Sequence, residues 1–493
     1  MSPIVSAEDP EAKPRFRPAS ATPALGDGFF DVVEPARFPC ATLRFRNQPW
    51  AERVGLGELT DEAWIGRFAR FETFPGSLPA PLALRYHGHQ FQVYNAGLGD
   101  GRGFLYAQLR DPLDGRLLDL GTKGSGRTPW SRGGDGRLTL KGGVREALAT
   151  EMLEALGVYT SRTFSLVETG EDLMRGDEPS PTRSSVLVRL SHGHVRIGSF
   201  QRHAHAGDSE RLRRLLAFCI EHYVPELLPL GPDEQPSRFL REVARRAALL
   251  SASWMAAGFV HGVLNTDNIN VTGESFDYGP YRFLPRYDPR FVAAYFDETG
   301  LYAFGRQPAI MLWNLDRLAD ALAPLAPGGR LRAELVDFEP RAMRLFHLRF
   351  LERLGVAAVD PVLDSLLVSR CLCFLEESGA GYDRFFFDWY GGAASEARAM
   401  AGPAASVYRG EKWSAVRRAL FERAPLHADR LADPYFAGEA PCALLIDEIE
   451  AIWRPIAERD DWSVFEAKIA AIRRMARLFG RGAHCIEAPS PPV

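Results

Sequence analysis

The chain has 493 residues, 46% of them hydrophobic and 25% charged, a balance that excludes a disordered polypeptide. Its 59 basic and 63 acidic side chains leave a net charge of −4, which argues against a dedicated nucleic-acid binder. At roughly 150 residues per domain, the length admits about three domains or one large catalytic unit with extensions.

Residues 1–40 are rich in proline and read as an extended arm. No apolar run follows a basic start, so no secretory signal is expected. Fourteen of the 45 glycines fall within 88–147, which predicts several tight turns there. Residues 104–109 and 117–122 read as strands around a turn at Asp114-Gly115. Val144–Leu156 reads as a helix closed by Gly157. Ser185–Leu190 and His194–Phe200 read as a hairpin around Ser191-His192-Gly193. From about residue 208 the pattern turns helical, with helices expected over Ser209–Tyr223, Pro236–Gly258, Leu331–Gly355, Asp360–Gly379 and Trp453–Gly480. The charge-free run Ala247–Thr266 carries Ser251, Ser253, His261 and Asn265. It is too polar for a membrane span and reads as a buried helix entering a loop. A sheet-rich front half and a helical back half meet near residues 200–208.

Six cysteines (Cys40, Cys219, Cys371, Cys373, Cys442 and Cys485) form no CxxC pair, which fits a reducing cytosol. His87/His89, His192/His194 and His203/His205 could each offer two metal ligands, but no third ligand stands at a fixed offset. Arg384–Tyr390 (RFFFDWY) reads as core packing. GxSxG and HExxH are both absent from the sequence.

Three stretches carry chemistry. Gly97-Leu98-Gly99-Asp100-Gly101-Arg102-Gly103 lets the backbone approach a ligand and can cup an anion, although a plain turn would use the same residues. Lys123 ends a predicted strand, and Glu146 lies in the first turn of the following predicted helix. A strand lysine paired with a helix glutamate is the kinase device for placing nucleotide phosphates. The ordinary alternative is a solvated strand end beside an acid that suits a helix N-terminus. Lysine is scarce, at positions 13, 123, 141, 412 and 468 only, so a lysine inside a motif carries more weight than another arginine would. The third stretch is His261-Gly262-Val263-Leu264-Asn265-Thr266-Asp267-Asn268, followed by Asp277-Tyr278-Gly279. It matches the order of a kinase catalytic loop and its metal-binding DFG. Val263 stands where the kinase catalytic aspartate belongs, which leaves Asp267 as the available carboxylate. Arg189 and Arg196, on the two arms of the predicted hairpin, could clamp phosphate oxygens.

These motifs resemble the selenoprotein-O family of protein adenylyltransferases. The matching stretches are 86–102 (YHGHQFQVYNAGLGDGR), 123–137 (KGSGRTPWSRGGDGR), 145–158 (REALATEMLEALGV), 258–284 (GFVHGVLNTDNINVTGESFDYGPYRFL) and 304–319 (FGRQPAIMLWNLDRLA), within residues 60–320. The resemblance implies an α+β, protein-kinase-like bilobed fold with a sheet-rich N-lobe (41–205) and a helical C-lobe (206–330). A helical extension (331–493) would follow, and the arm (1–40) would precede. It implies AMP transfer from ATP to Ser, Thr or Tyr hydroxyls of acceptor proteins, with Mg²⁺ and with Mn²⁺ or UTP as possible substitutes. Carried over by position, Gly99, Gly101 and Arg102 would hold the nucleotide. Lys123 would contact phosphate with Glu146 as its partner. Asp135 and Gly136 would lie against the nucleotide, and Arg189 and Arg196 would bind it and its phosphates. Asn268 and Asp277 would ligate the metal, and Asp267 would accept the proton.

The C-terminal third departs from the family pattern. Cys485 lies eight residues from the end, and Pro280–Thr299 holds no cysteine to pair with it, so disulfide control is not expected. The competing functions are a true kinase and a nucleotide-binding scaffold without catalysis. A cytoplasmic protein acting on ATP and acceptor proteins, with no nucleic acid and no membrane, is the expectation.

Overall fold

A computed structural model describes residues 15–326, 328 and 331–481. Its strands are β1 (Arg17–Ala19), β2 (Phe30–Val32), β3 (Thr42–Arg46), β4 (Leu82–Leu84), β5 (Gly88–Gln90), β6 (Val93–Asn95), β7 (Leu105–Arg110), β8 (Leu117–Lys123), β9 (Leu138–Thr139), β10 (Arg162–Leu173), β11 (Thr182–Ser191), β12 (Phe259–Val260) and β13 (Arg282–Phe283). Its helices are α1 (Gln48–Arg53), α2 (Asp61–Phe68), α3 (Leu140–Ala155), α4 (Ile197–His205), α5 (Ser209–Tyr223), α6 (Gln235–Ala257), α7 (Gln307–Leu322), α8 (Phe338–Arg353), α9 (Pro361–Ser378), α10 (Tyr382–Asp388), α11 (Glu396–Ala401), α12 (Glu411–Phe421), α13 (Ile446–Arg459) and α14 (Ser463–Leu478).

The fold is α+β. Among the described residues nine strands form one antiparallel sheet in the order β2-β4-β7-β8-β11-β10-β3, with β1 joining β7 and β9 joining β11. The segment expected to be an extended arm thus supplies two short edge strands. Two apolar cores form on the sheet. One gathers Trp50, Trp64, Phe68, Phe104, Tyr106 and Phe164 beneath α1 and α2. The other runs from α3 through the back-half helices, where Leu148, Met152, Phe239, Trp254, Phe350 and Trp389 are buried. No helix among the described residues is long and apolar enough to cross a membrane.

Helix α3 starts four residues earlier than the periodicity predicts, so Glu146 lies in its second turn, not its first. Gly142 and Gly143 weaken the helical signal, yet close packing requires the second of them. A Cβ on Gly143 would stand 2.4 Å from a Leu166 methyl of β10.

The hairpin expected at 185–200 is a correction. Strand β11 pairs with β10, and the chain after Ser191 leaves the sheet to begin α4. The alternation of Val195 and Ile197 with polar neighbours imitated a strand. Instead Ser199 Oγ accepts from the Arg196 N–H at 3.2 Å and starts the helix. Arg196 is therefore the residue before α4, not a strand residue.

The helix predicted over 453–480 is two helices. Asp460 adopts φ of 54° and receives Arg44 (3.0 Å) and Arg183 (2.7 Å), which fix the break between α13 and α14. The stretch 331–355 likewise divides into a short turn of 3-10 helix and α8. Helices α5, α6 and α9 lie within a residue of expectation, with Gly258 and Gly379 in the left-handed cap conformation. The aromatic run Phe385–Tyr390 is buried. Cys371 is buried and Cys373, two residues on and off that face of α9, is exposed; Cys485 lies outside the described residues.

Candidate active site

A cleft of about 690 Å³ opens between the glycine-rich loops, the β8–β11 sheet and the loop after β12. Its wall includes Gly99, Gly101, Arg102, Lys123, Asp135, Gly136, Arg189, Arg196, Asp267, Asn268 and Asp277. Glu146 lies just behind it. Residues separated by up to 178 positions thus converge on one space.

Strand β8 ends at Lys123, which projects its ammonium into the cleft. Lys123 Nζ donates to Glu146 Oε2 at 2.6 Å and to Asp277 Oδ1 at 2.8 Å. Arg189, on the neighbouring strand β11, lies 3.3 Å from Glu146 Oε1 and 3.4 Å from Asp277 Oδ1. Two cations and two carboxylates form one cluster, buried except at Asp277, whose side chain is 32% exposed on the cleft side. Burial would raise the Asp277 pKa, but Lys123, Arg189 and Arg102 overcome it and hold the group well below the ordinary carboxylate range. Asp277 itself has φ of 63°, a costly conformation for a residue with a Cβ.

Arg196 stacks 4.1 Å over the Tyr86 ring and reaches Asp100 Oδ1 at 3.2 Å. The Nε–H groups of Arg189 and Arg196 are buried without a partner among the described residues. Unspent guanidinium donors in a cleft suit the oxygens of a phosphate chain.

The loop after β12 is tied to the Asp-Tyr-Gly segment. His261 Nε2 donates to the Phe276 carbonyl at 3.0 Å, which fixes the proton on that nitrogen. The Tyr278 hydroxyl bonds Thr160, which explains how a buried tyrosine is tolerated here. Asn268 donates its amide to the Val263 carbonyl at 3.0 Å, so its own oxygen is left as the acceptor. Burial lifts the Asp267 pKa to about 6; Arg196 opposes the rise and Asp277 adds to it.

The loop glycines have specific jobs. A Cβ at Gly99 would fall 2.4 Å from the Trp130 ring, and one at Gly136 would fall 2.2 Å from the Gly126 carbonyl oxygen. Asp135 pairs with Arg175 at 2.8 Å on the rim.

Comparison with known proteins gives the family. Residues 14–473 match the sequence model of the family described as protein adenylyltransferase SelO. The chain belongs to the SelO family. It is 46% identical over 471 residues to a protein of Gloeobacter violaceus named protein nucleotidyltransferase YdiU, covering 93% of this chain and 95% of the relative. Relatives of the same name in Trichormus variabilis (43% over 470 residues) and Synechocystis (44% over 464) are covered to 95%, over 92% and 90% of this chain. The match extends on both sides of the 60–320 stretch read from the motifs.

The SelO-family cleft also holds residues to which the motif reading gives no part in a nucleotide site, His194 being weighed there only as a metal ligand. Tyr86, Gln90, Trp130, Arg175, His194 and Asn265 line it. Gln90 Nε2 points to Asp267 Oδ2 at 3.4 Å, and His194 Nδ1 lies 3.1 Å from Asp119. Gln90 and Trp130 sit inside the matched stretches 86–102 and 123–137, so the signal was present without a role attached. The histidine pairs do not gather into metal sites. His87 Nδ1 meets the Tyr94 hydroxyl, His89 Nδ1 meets Gln201, and no group of three His, Cys, Asp or Glu among the described residues could hold an ion.

Proposed function

We propose that this SelO-family protein transfers AMP from ATP to Ser, Thr or Tyr hydroxyls of acceptor proteins and releases pyrophosphate. The frame would be kinase-like, with the sheet layer and the helical layer as its two lobes. The observation that supports this reading most is the convergence of the phosphate-binding cations and the acidic loop on one cleft of about 690 Å³. Family membership supplies the reaction class.

In this reading Gly99, Gly101 and Arg102 hold the nucleotide, and Asp135 and Gly136 lie against it. Lys123, held by Glu146, exchanges Asp277 for a phosphate oxygen. Arg189 and Arg196 spend their free donors on the phosphates. Asn268 and Asp277 would hold Mg²⁺, or Mn²⁺ in its place. One carboxylate and one amide oxygen, completed by substrate phosphates, suit such a hard cation. When bound, the ion supplies charge neutralisation on the triphosphate.

The acceptor hydroxyl attacks the α-phosphorus in line. An oxygen–phosphorus bond forms there, the bond to the β-phosphate oxygen breaks, and pyrophosphate leaves. The hydroxyl proton passes to Asp267, whose raised pKa suits a proton acceptor near neutral pH. The few scattered cysteines favour the cytoplasm as the compartment.

The test uses ATP labelled at either the α- or the γ-phosphate, with Mg²⁺ and casein. Protein-bound α-label is the expected result. Protein-bound γ-label alone would mean phosphoryl transfer, and neither label would mean a scaffold. Asp277→Ala should abolish the α-label.

A further inference from the structure

In the adenylyl-transfer reading Asp267 takes the acceptor's proton, and strand β5 packs against that carboxylate. A Cβ on Gly88 of β5 would stand 2.8 Å from Asp267 Oδ1, and that oxygen is buried without a partner among the described residues. Gln90, two residues along the strand and so on the same face, reaches the other oxygen. Its Nε2 lies 3.4 Å from Asp267 Oδ2.

A glutamine amide can turn either end to a carboxylate, and only its NH₂ end can donate. Here the choice is made several residues away. The Gly97 N–H, at the start of the glycine-rich loop, donates to Asn95 Oδ1 at 2.9 Å. A backbone N–H can only donate, so the oxygen of Asn95 must lie there and its Nδ2 on the other side. Asn95 pairs with Gly88 across the β5–β6 hairpin, which sets it diagonally from Gln90. Its Nδ2 donates to Gln90 Oε1 at 3.2 Å, which leaves the Gln90 Nε2 for Asp267.

Separate bonds lock the hairpin itself to the turn that carries Asp267. The His89 N–H donates to Thr266 Oγ1 at 2.7 Å, Thr266 donates to Gln201 Oε1 at 2.7 Å, and Gln201 Nε2 returns to His89 Nδ1 at 2.8 Å. The Phe91 N–H adds a bond to Asn265 Oδ1 at 3.2 Å. The backbone therefore keeps its place without the Gln90 amide. What that amide alone supplies is a donor to the carboxylate.

We propose that Gln90 is a positioning residue for Asp267, aimed by Asn95, and that the line Gly97–Asn95–Gln90–Asp267 ties the glycine-rich loop to the proton acceptor. The proposal rests on the adenylyl-transfer reading above. A general base must stand within hydrogen-bond reach of the proton it takes. Gln90 holds Oδ2 for that purpose, while β5 closes off Oδ1.

The test uses Gln90→Met, Asn95→Asp and the double variant in the full-length protein, with Mg²⁺, α-labelled ATP and casein. Gln90→Met keeps the length of the side chain and removes its donor. Asn95→Asp keeps an oxygen for the Gly97 N–H but cannot donate to Gln90, so the amide turns its oxygen toward Asp267. Gln90 and Asn95 are both half-buried, and both variants should melt close to wild type. Each should lower kcat on the order of tenfold, with KM for ATP and for casein unchanged. The double variant should fall no further than the weaker single one, because Asn95 acts only through Gln90. A kcat for Gln90→Met within about twofold of wild type overturns the positioning role. A loss carried by KM for casein or for ATP overturns it in favour of a direct contact with that substrate. Losses that multiply in the double variant overturn the line from Asn95. Absence of α-label on casein from the wild-type protein overturns the adenylyl-transfer reading, and the role of Gln90 falls with it.

Discussion

Lys123 Nζ lies 2.8 Å from Asp277 Oδ1, a bond that joins the end of β8 to a residue 154 positions later. The same ammonium is held by Glu146, which is 1% exposed. Lys123→Met would leave that glutamate facing Arg189 alone. AMP transfer should fall on the order of 10²–10³-fold, the usual cost of removing a group that stabilises developing charge. Stability should fall too, by up to about 3–5 kcal/mol, because a buried carboxylate loses a partner. Adding Glu146→Gln should recover part of the stability and none of the activity. Denaturation of the two variants and α-label transfer check both parts.

Asp267 gives a prediction with a sign. Burial lifts its pKa to about 6 from the ordinary 3.8. Well below pH 3.8 the group is neutral both folded and unfolded, so its shifted pKa has no effect on stability. Between pH 4 and 6 the unfolded chain releases the proton while the folded protein keeps it, so stability falls as pH rises. Above pH 6 the full penalty is present, about 3 kcal/mol. Asp267→Asn lacks it. In EDTA and without nucleotide, the variant's advantage in melting temperature should be small at pH 4 and several-fold larger at pH 7.5, while AMP transfer is lost. A gap in melting temperature that does not widen over that range would refute the burial argument.

Gly99→Ala should act through shape. Its Cβ would meet the Trp130 ring at 2.4 Å, and that ring is anchored by its N–H to Asp31 at 2.9 Å. Trp130 must then leave Asp31 or the loop must open. Either movement disturbs the wall of the cleft. Titration calorimetry with a non-hydrolysable ATP analogue should read at least a tenfold weaker affinity, with the melting temperature little changed.

The site was legible because its chemistry is compact in sequence. The glycine loop, Lys123, Glu146 and the Asn268…Asp277 segment each announce themselves by residue type and spacing, and the structure lines one cleft with all of them but Glu146, which holds Lys123 from behind. What was not legible depended on long-range packing. Nothing local to Val195–Phe200 reveals that β11 would spend its hydrogen bonds on β10 and release this segment to a helix. Asp460 breaks the last helix only because Arg44 and Arg183 reach it from distant strands. Gly143 looks like a poor helix residue until Leu166 of β10 is set against it. Gln90 has no chemistry of its own; its position over Asp267 gives it one.

The C-terminal helix α14 also lies close to the site by packing alone. It packs on α3, the helix that carries Glu146. Ile469, Ile472 and Met475 are buried in that contact region, and Arg473 clasps Glu151 of α3 at 2.6 and 2.8 Å. Glu151 in turn receives Asn47, the cap of α1. The last helix therefore braces the element that positions Lys123, without touching the cleft. Ile472→Ala should cost about 2–5 kcal/mol, the range for truncating a fully buried aliphatic side chain. Below its melting point the variant should keep the wild-type KM for ATP, since none of the groups facing the nucleotide has moved. Urea denaturation followed by α-label kinetics separates the two effects. A large change in the KM for ATP with little loss of stability would show that α14 sets the geometry of the cleft directly, not by bracing α3.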